Sequence, residues 1–295
     1  MKNILVLGGT RFFGRKLVEQ LIAEGHNVAI ITRGQSGNPF GDRVEHIQAD
    51  RFQTEELAKA VEGRTFDIVY DNICYSPDEA KAFCNIFNGK IGKLVFTSTL
   101  STYVANGTPH IEEDFNPYTY DIQLGDRFAF TYGEGKRQAE AVFFKYAKSP
   151  VVAVRFPIVM GEDDYTKRLH FHVEHILQEI PMGFVNMNAE MGFILASEAA
   201  AFLYFAGMKN IEGPYNATAH GTISLNNLIQ LIEKKTGKQA KVSLLDDADR
   251  SPYAIPNSWY MLTNKAEQAG FKFSHLNSWL ETLVENIVRD VRNYN

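Results

Sequence analysis

Apolar residues fall along this chain in two alternating rhythms. Short runs dominated by apolar residues, Asn3 to Leu7 (NILVL), 28 to 32 (VAIIT), 66 to 71 (FDIVYD), 93 to 99 (KLVFTST) and 151 to 156 (VVAVRF), predict buried strands. Between them the apolar positions recur at helical spacing. RKLVEQLIAEG places Leu17, Val18, Leu21 and Ile22 on one face and stops at Gly25; TEELAKAVEG, PDEAKAFCNIF and TYGEGKRQAEAVFFKYA (131 to 147) follow the second, third and fourth strands. Alternation of strand and helix predicts an α/β fold with a doubly wound parallel (Rossmann) sheet covered on both faces. After Pro157 the alternation loosens into loops, helices and isolated strands without a Gly/Ser/Pro linker. The expected organisation is a sheet domain over 1–156 and a smaller C-terminal lobe over 157–295 whose late elements can return to the sheet.

At 295 residues with 45% hydrophobic content the chain can bury a sizeable core, and a formal net charge of -5 argues against a nucleic-acid partner. The start, MKNILVLGG, holds an apolar run too short for a signal segment or a membrane span, so a cytoplasmic location without a membrane partner is expected. Cys74 and Cys84 lack metal-ligand spacing and read as buried thiols.

GGTRFFG, residues 8 to 14, joins the first strand to the first helix. A helix N-terminus offers unpaired N–H groups and partial positive charge, which suits a pyrophosphate. Gly8 and Gly9 permit the tight turn and Gly14 close packing of helix on strand, while Arg11 occupies the middle of the loop. A cation there opposes the helix dipole and makes sense beside an anion, the alternative being a solvated side chain. Arg33 follows the second strand where an acid would receive the ribose 2′-hydroxyl of NAD. Two guanidiniums suit a 2′-phosphate, so NADP is the preferred cofactor with NAD admissible.

Tyr132 and Lys136 stand one helical turn apart, in YGEGK, after the polar end of the fourth strand, TSTLST. Together with GGTRFFG, Asp50 in QAD, FTST followed by Tyr103, RFPIVMG, GPYNATAHGTISL and NKAEQAGFKF, this chain resembles the extended short-chain dehydrogenase/reductase superfamily, NAD-dependent epimerase/dehydratase branch. The resemblance implies that Tyr132 exchanges a proton, Lys136 serves the ribose and Thr99 holds the substrate oxygen. It also implies a cofactor site at Gly8, Gly9, Thr10, Arg11, Phe12, Phe13, Gly14, Arg33, Asp50, Arg51, Asn72, Thr97, Tyr132, Lys136, Pro157 and Val159. Tyr103, Arg155 and Arg168 are substrate candidates, and Arg155 reads equally as a salt-bridged structural residue.

Two departures narrow this expectation. The segment YDNICYSPDEAKAFCNIFNGKIG is compressed, which is similar to the subgroup that includes chloroplast stem-loop RNA-binding proteins. Leu100 and Ser101 replace the acid pair of sugar 4,6-dehydratases, which argues against dehydration. In HFHVEH, His172 and His175 share a helical face that His170 does not, so no metal site is expected. The expected function is epimerisation or reduction at a sugar or nucleotide-sugar hydroxyl. An RNA-binding dinucleotide protein and a small-molecule carbonyl reductase are the rivals, and a homodimer stays open.

Overall fold

Strands that are apolar on both faces need cover on both faces, and helices supply it. The computed structural model describes residues 1–35, 37–244 and 248–294. In chain order the first half contains β1 (Asn3–Leu7), α1 (Phe12–Ala23), β2 (Asn27–Thr32), β3 (Glu45–Gln48), α2 (Thr54–Ala60), β4 (Ile68–Asp71), α3 (Pro77–Phe87), β5 (Leu94–Thr99), β6 (Pro109–His110), α4 (Tyr132–Tyr146) and β7 (Val151–Phe156). The second contains β8 (Ile158–Met160), α5 (Arg168–Gln178), β9 (Met182–Phe184), β10 (Glu190–Met191), β11 (Phe193–Leu195), α6 (Ala196–Met208), β12 (Gly213–Asn216), β13 (Ile223–Ser224), α7 (Leu225–Thr236), β14 (Val242–Leu244), β15 (Asp249–Arg250), β16 (Tyr260–Met261), α8 (Asn264–Gln268) and α9 (Leu280–Tyr294).

The central sheet has seven strands in the order β12-β7-β5-β4-β1-β2-β3, and every pairing is parallel. α1 and α6 cover one face over Ile4, Val6, Ile30 and Val95; α3 and α4 cover the other over Leu5, Leu7, Leu94 and Phe96. A separate core joins α5, α7 and α9 through Val173, Ile229 and Ile287. α6 and β12, although late in the chain, belong to the sheet half: β12 pairs with β7 and α6 packs on α1. β3 is an element that periodicity did not predict, because EHIQ is half exposed and carries no apolar run. Among the described residues no helix is long and apolar enough to cross a membrane.

Helix starts differ in a way that bears on function. Ser76 caps α3 by accepting the Glu79 N–H at 3.4 Å, Thr131 caps α4 through Glu134 at 3.3 Å, and Ser224 caps α7 through Asn227 at 3.2 Å. α1 has no side-chain cap and no acidic residue in its first turn. Its orphan N–H groups therefore face the end of the sheet without a carboxylate or hydroxyl of their own.

Candidate active site

Strand order reverses between β1 and β4, and beyond their carboxyl ends lies a cleft of about 680 Å³. The glycine loop, Arg33, Asp50, Arg51, Asn72, Thr97, Thr99, Tyr132, Lys136, Pro157 and Val159 all line it, and Gly9 is buried beside them. On the lobe side the lining includes Arg168, Met191, Ile255 and Trp259.

The loop fits a dinucleotide phosphate on three observations. Gly8 has φ +81°, and a Cβ at Gly14 would stand 2.6 Å from the Gly8 carbonyl oxygen, so side chains are excluded where the loop meets the helix. Phe12 opens α1 at φ +50°, a strained conformation for a bulky residue, held by burial against its neighbours. Asn72 is buried and accepts the Thr97 hydroxyl at 2.7 Å, yet its amide nitrogen, next to Gly14, has no partner. An unsatisfied buried donor beside an uncapped helix start is the feature a ligand acceptor would complete.

Arg11 sits with its guanidinium 5.7 Å from the Tyr165 ring centroid, and Tyr165 also meets the Phe12 ring edge-on at 6.4 Å. The arginine in the middle of the loop therefore links α1 to the segment ahead of α5, where Asp163 pairs with Lys16 at 3.6 Å. Arg33 is exposed, and among the described residues no carboxylate pairs with it. Asp50 receives the Phe52 N–H at 3.0 Å, whereas Arg51 is buried, donating to Asp71 at 2.6 Å and to the Glu79 carbonyl at 3.1 Å. Arg51 borders the cleft, with two of its donors already committed to protein.

Thr99, Tyr132 and Lys136 line the same cleft. Thr99 ends β5 with its oxygen accepting the Ser101 N–H at 3.1 Å, which leaves its hydroxyl proton free to donate. Tyr132 is the first residue of α4 and 54% exposed, whereas Lys136, one turn on, is 1% exposed. The Lys136 ammonium donates to the carbonyls of Cys74 at 2.7 Å and Thr97 at 2.8 Å.

Two substrate candidates do not reach the cleft. Arg155 is fully buried in an ion pair with Glu140 at 2.6 Å and donates to Tyr103 at 2.7 Å; Tyr103 in turn donates to Asn216 at 2.7 Å and stacks on His110. Both are structural, because their polar atoms are taken up inside the protein. Arg168, at the start of α5, does line the cleft, and among the described residues it has no ion-pair partner. The histidines stay apart: His172 is buried between the Arg168 carbonyl and the Ser251 hydroxyl, and His175 faces Asp249. No group of metal-ligating residues occurs among the described residues.

Sequence reasoning missed Tyr75, Tyr165 and Trp259, which also line the cleft. The indole N–H of Trp259 is buried without a partner. Their loops carry no periodicity, and only the aromatic content of ICYSP and NSWY could have drawn attention to two of them.

Known proteins share parts of this sequence and its fold. Residues 4–82 match the model of the NAD dependent epimerase/dehydratase family. The chain is 29% identical over 127 residues to the chloroplast stem-loop binding protein of 41 kDa b of Arabidopsis thaliana, covering 38% of this chain and 33% of that one. It is 22% identical over 279 residues to UDP-glucuronic acid decarboxylase 1 of Danio rerio, covering 85% of this chain and 65% of the relative. The chain thus spans less than two thirds of the curated relatives it matches. The Thermus thermophilus UDP-glucose 4-epimerase in complex with NAD has the same fold, with a TM-score of 0.72 at 18% identity over 98% of each chain. The glycine loop, Asn72 and the strands between them lie inside the segment that matches the NAD dependent epimerase/dehydratase family model.

Proposed function

We propose that this protein is an NAD(P)-dependent oxidoreductase-type enzyme acting on a hydroxyl-bearing carbon of a sugar or nucleotide sugar, by epimerisation or net redox. The observation that carries the reading is the convergence of Thr99, Tyr132 and Lys136 on one cleft with an uncapped glycine-loop helix. The names of two relatives support the substrate class, a UDP-glucuronic acid decarboxylase and a UDP-glucose 4-epimerase.

In this reading the α1 N–H groups and the Asn72 amide hold the pyrophosphate side, Arg33 meets the adenosine end and favours NADP over NAD, and Lys136 is the ammonium available to ribose. Bound there, the dinucleotide would supply a hydride acceptor or donor. Thr99 donates a hydrogen bond to the substrate oxygen, and Tyr132 takes the carbinol proton or returns it, a role worth about 10²–10⁴ in rate. The exposure of Tyr132 leaves its hydroxyl open to the substrate. Arg168 is the cation for a substrate anion, and the apolar wall of Met191, Ile255 and Trp259 takes the remainder.

The match to a stem-loop binding protein favours one alternative, an RNA-contacting protein that uses a dinucleotide as a structural ligand. Thermal melting with NADPH and a panel of UDP- and other nucleotide sugars separates the two. A ligand at about 100 times its dissociation constant adds about 2.7 kcal/mol to the folded state. A shift with a nucleotide sugar supports the enzyme; a shift with a short RNA hairpin alone at physiological salt replaces it, and a response to neither brings forward a small-molecule carbonyl reductase.

A further inference from the structure

We propose that Tyr75 is a positioning residue whose ring holds the Tyr132–Lys136 pair in place. The inference rests on the oxidoreductase-type reading above and adds to it a residue that sequence reasoning did not single out.

Tyr75 follows β4 in the compressed stretch ahead of α3 and lines the cleft. Its ring centroid is 4.7 Å from the Lys136 ammonium and 6.3 Å from the Tyr132 ring. The Arg127 guanidinium stands 5.1 Å from the same centroid. Arg127 is fixed in turn by Glu79, at 2.8 Å, and the other oxygen of Glu79 accepts the Tyr75 N–H at 2.7 Å. Ring and backbone of Tyr75 are thus tied to one carboxylate. From the opposite side α4 presses on the same residue, since a Cβ at Gly135 would lie 2.5 Å from the Tyr75 carbonyl oxygen. The helix can therefore bring Tyr132 and Lys136 this close only because glycine precedes the lysine.

An ammonium near an aromatic ring is attracted by the ring's quadrupole, and the attraction strengthens as water is excluded. Lys136 has three N–H donors, two of which serve the carbonyls of Cys74 and Thr97. Two carbonyl contacts and the Tyr75 ring, together with the Phe96 ring 4.7 Å away, confine the ammonium to one place. Burial, followed by the neighbouring Tyr132 and Tyr165, raises the Tyr75 phenol above its ordinary range against the opposing Arg127. Tyr75 is thereby kept neutral, a packing surface and not a second acid or base.

Tyr75→Phe and Tyr75→Leu separate the ring from its hydroxyl. In the full chain, calorimetric titration with NADPH should give Tyr75→Phe a Kd within about twofold of the parent, and Tyr75→Leu a Kd about fivefold weaker, the scale of a lost cation–π contact. Where a substrate turns over, Tyr75→Leu should also lower kcat more than it raises KM and displace the pH–rate profile, and Tyr75→Phe should do neither. Gly135→Ala, which displaces the same carbonyl from the other side, should reproduce the weaker binding. Parent-like binding and turnover by Tyr75→Leu would overturn the proposal, as would equal damage from Tyr75→Phe, which would move the role to the hydroxyl. A lower Tm in Tyr75→Leu with unchanged Kd and pH profile would reduce the residue to packing, and that too overturns it. A parent that binds neither NADPH nor NADH removes the enzyme reading itself and the positioning role with it.

Discussion

Strand β5 separates two polar regions that treat their hydrogen bonds in opposite ways. Residues Thr97, Ser98 and Thr99 all border the cleft, but side chains alternate along a strand, and the Ser98 hydroxyl turns to Glu140 of α4 whereas that of Thr97 turns to Asn72. On the Ser98 side the network closes on itself. Ser98 donates to Glu140, and Arg155 spends its five N–H donors on Glu140 twice, at 3.0 and 2.6 Å, on Tyr103, and on the carbonyls of Glu112 and Phe115. On the Thr97 side the network stops short: Thr97 donates to Asn72, whose amide then has no acceptor, and Thr99 keeps a proton to give. A buried polar group left without a partner costs about 1–3 kcal/mol, and a ligand acceptor beside Asn72 would remove that cost. Partner accounting, and not residue type, distinguishes the structural arginine from the site.

The sharpest test of the open side is its proton carrier. Tyr132→Phe should lower turnover by about 10²–10⁴-fold, because a positioned proton-transfer group is lost, while NADPH affinity stays within about twofold. Steady-state kinetics beside a binding titration check both halves, and a phenylalanine variant as fast as the parent would leave only a nucleotide-binding scaffold.

On the closed side the same logic gives a large effect on folding and none on the site. Arg155→Met leaves Glu140 as an unpaired buried charge and should lower unfolding free energy by about 3–5 kcal/mol in urea titrations. NADPH affinity of the folded fraction should stay within about twofold. Adding Glu140→Leu should recover part of the loss, since the stranded charge goes with it. Selective loss of substrate binding in Arg155→Met at unchanged stability would return Arg155 to the cleft.

These two sides also show what could be read in advance. β1, β2, β4 and β5 are legible because strands buried on both faces are dominated by apolar residues, and the glycine loop because only glycine fits its turn and its close approach. Tyr132 and Lys136 draw attention through helical spacing, and their proposed roles come from the family resemblance. Arg155 is misleading because a strand-end arginine looks the same whether it meets a ligand or a carboxylate; its partner, Glu140, lies 15 residues away on α4. Tyr75, Tyr165 and Trp259 are illegible for a related reason. They sit in loops whose approach to the cleft depends on tertiary packing, and that packing leaves no periodic trace in the chain.

The lobe contains a second closed site, and it makes that half sensitive to acid. His172 is fully buried with both ring nitrogens partnered, and burial drives its imidazole down to about 3, against the opposing hydrogen bond to the Arg168 carbonyl. An imidazole that titrates lower in the folded state than in the unfolded one binds more protons when unfolded. Its contribution is therefore fully present above the unfolded value of about 6.5 and is lost as pH falls toward the folded value. The loss between pH 7 and 5 from this residue alone is about 2 kcal/mol. Urea titrations at the two pH values should show it, and His172→Gln should flatten the dependence even though it starts less stable. An equally steep dependence without His172 would assign the acid sensitivity to other groups.

The smallest expected effect belongs to the most exposed part of the open side. The main chain at Arg33 is held: Thr32 accepts the Gly34 N–H at 3.1 Å and Gln48 donates to the Arg33 carbonyl at 3.4 Å. Its side chain lines the cleft from solvent, and no acid competes for it among the described residues. A 2′-phosphate would supply the missing anion, whereas a 2′-hydroxyl would not. NADPH should then bind more tightly than NADH, and Arg33→Ala should weaken NADPH by about tenfold at low salt while changing NADH by less than about twofold. Because the pair would be exposed, the advantage should shrink as ionic strength rises, unlike the buried Arg155–Glu140 pair, which salt screens far less. Parallel fluorescence titrations of the two nucleotides at low and high salt decide the matter. Equal affinities, or a preference for NADH that survives Arg33→Ala, would show that this arginine serves something other than the cofactor's phosphate.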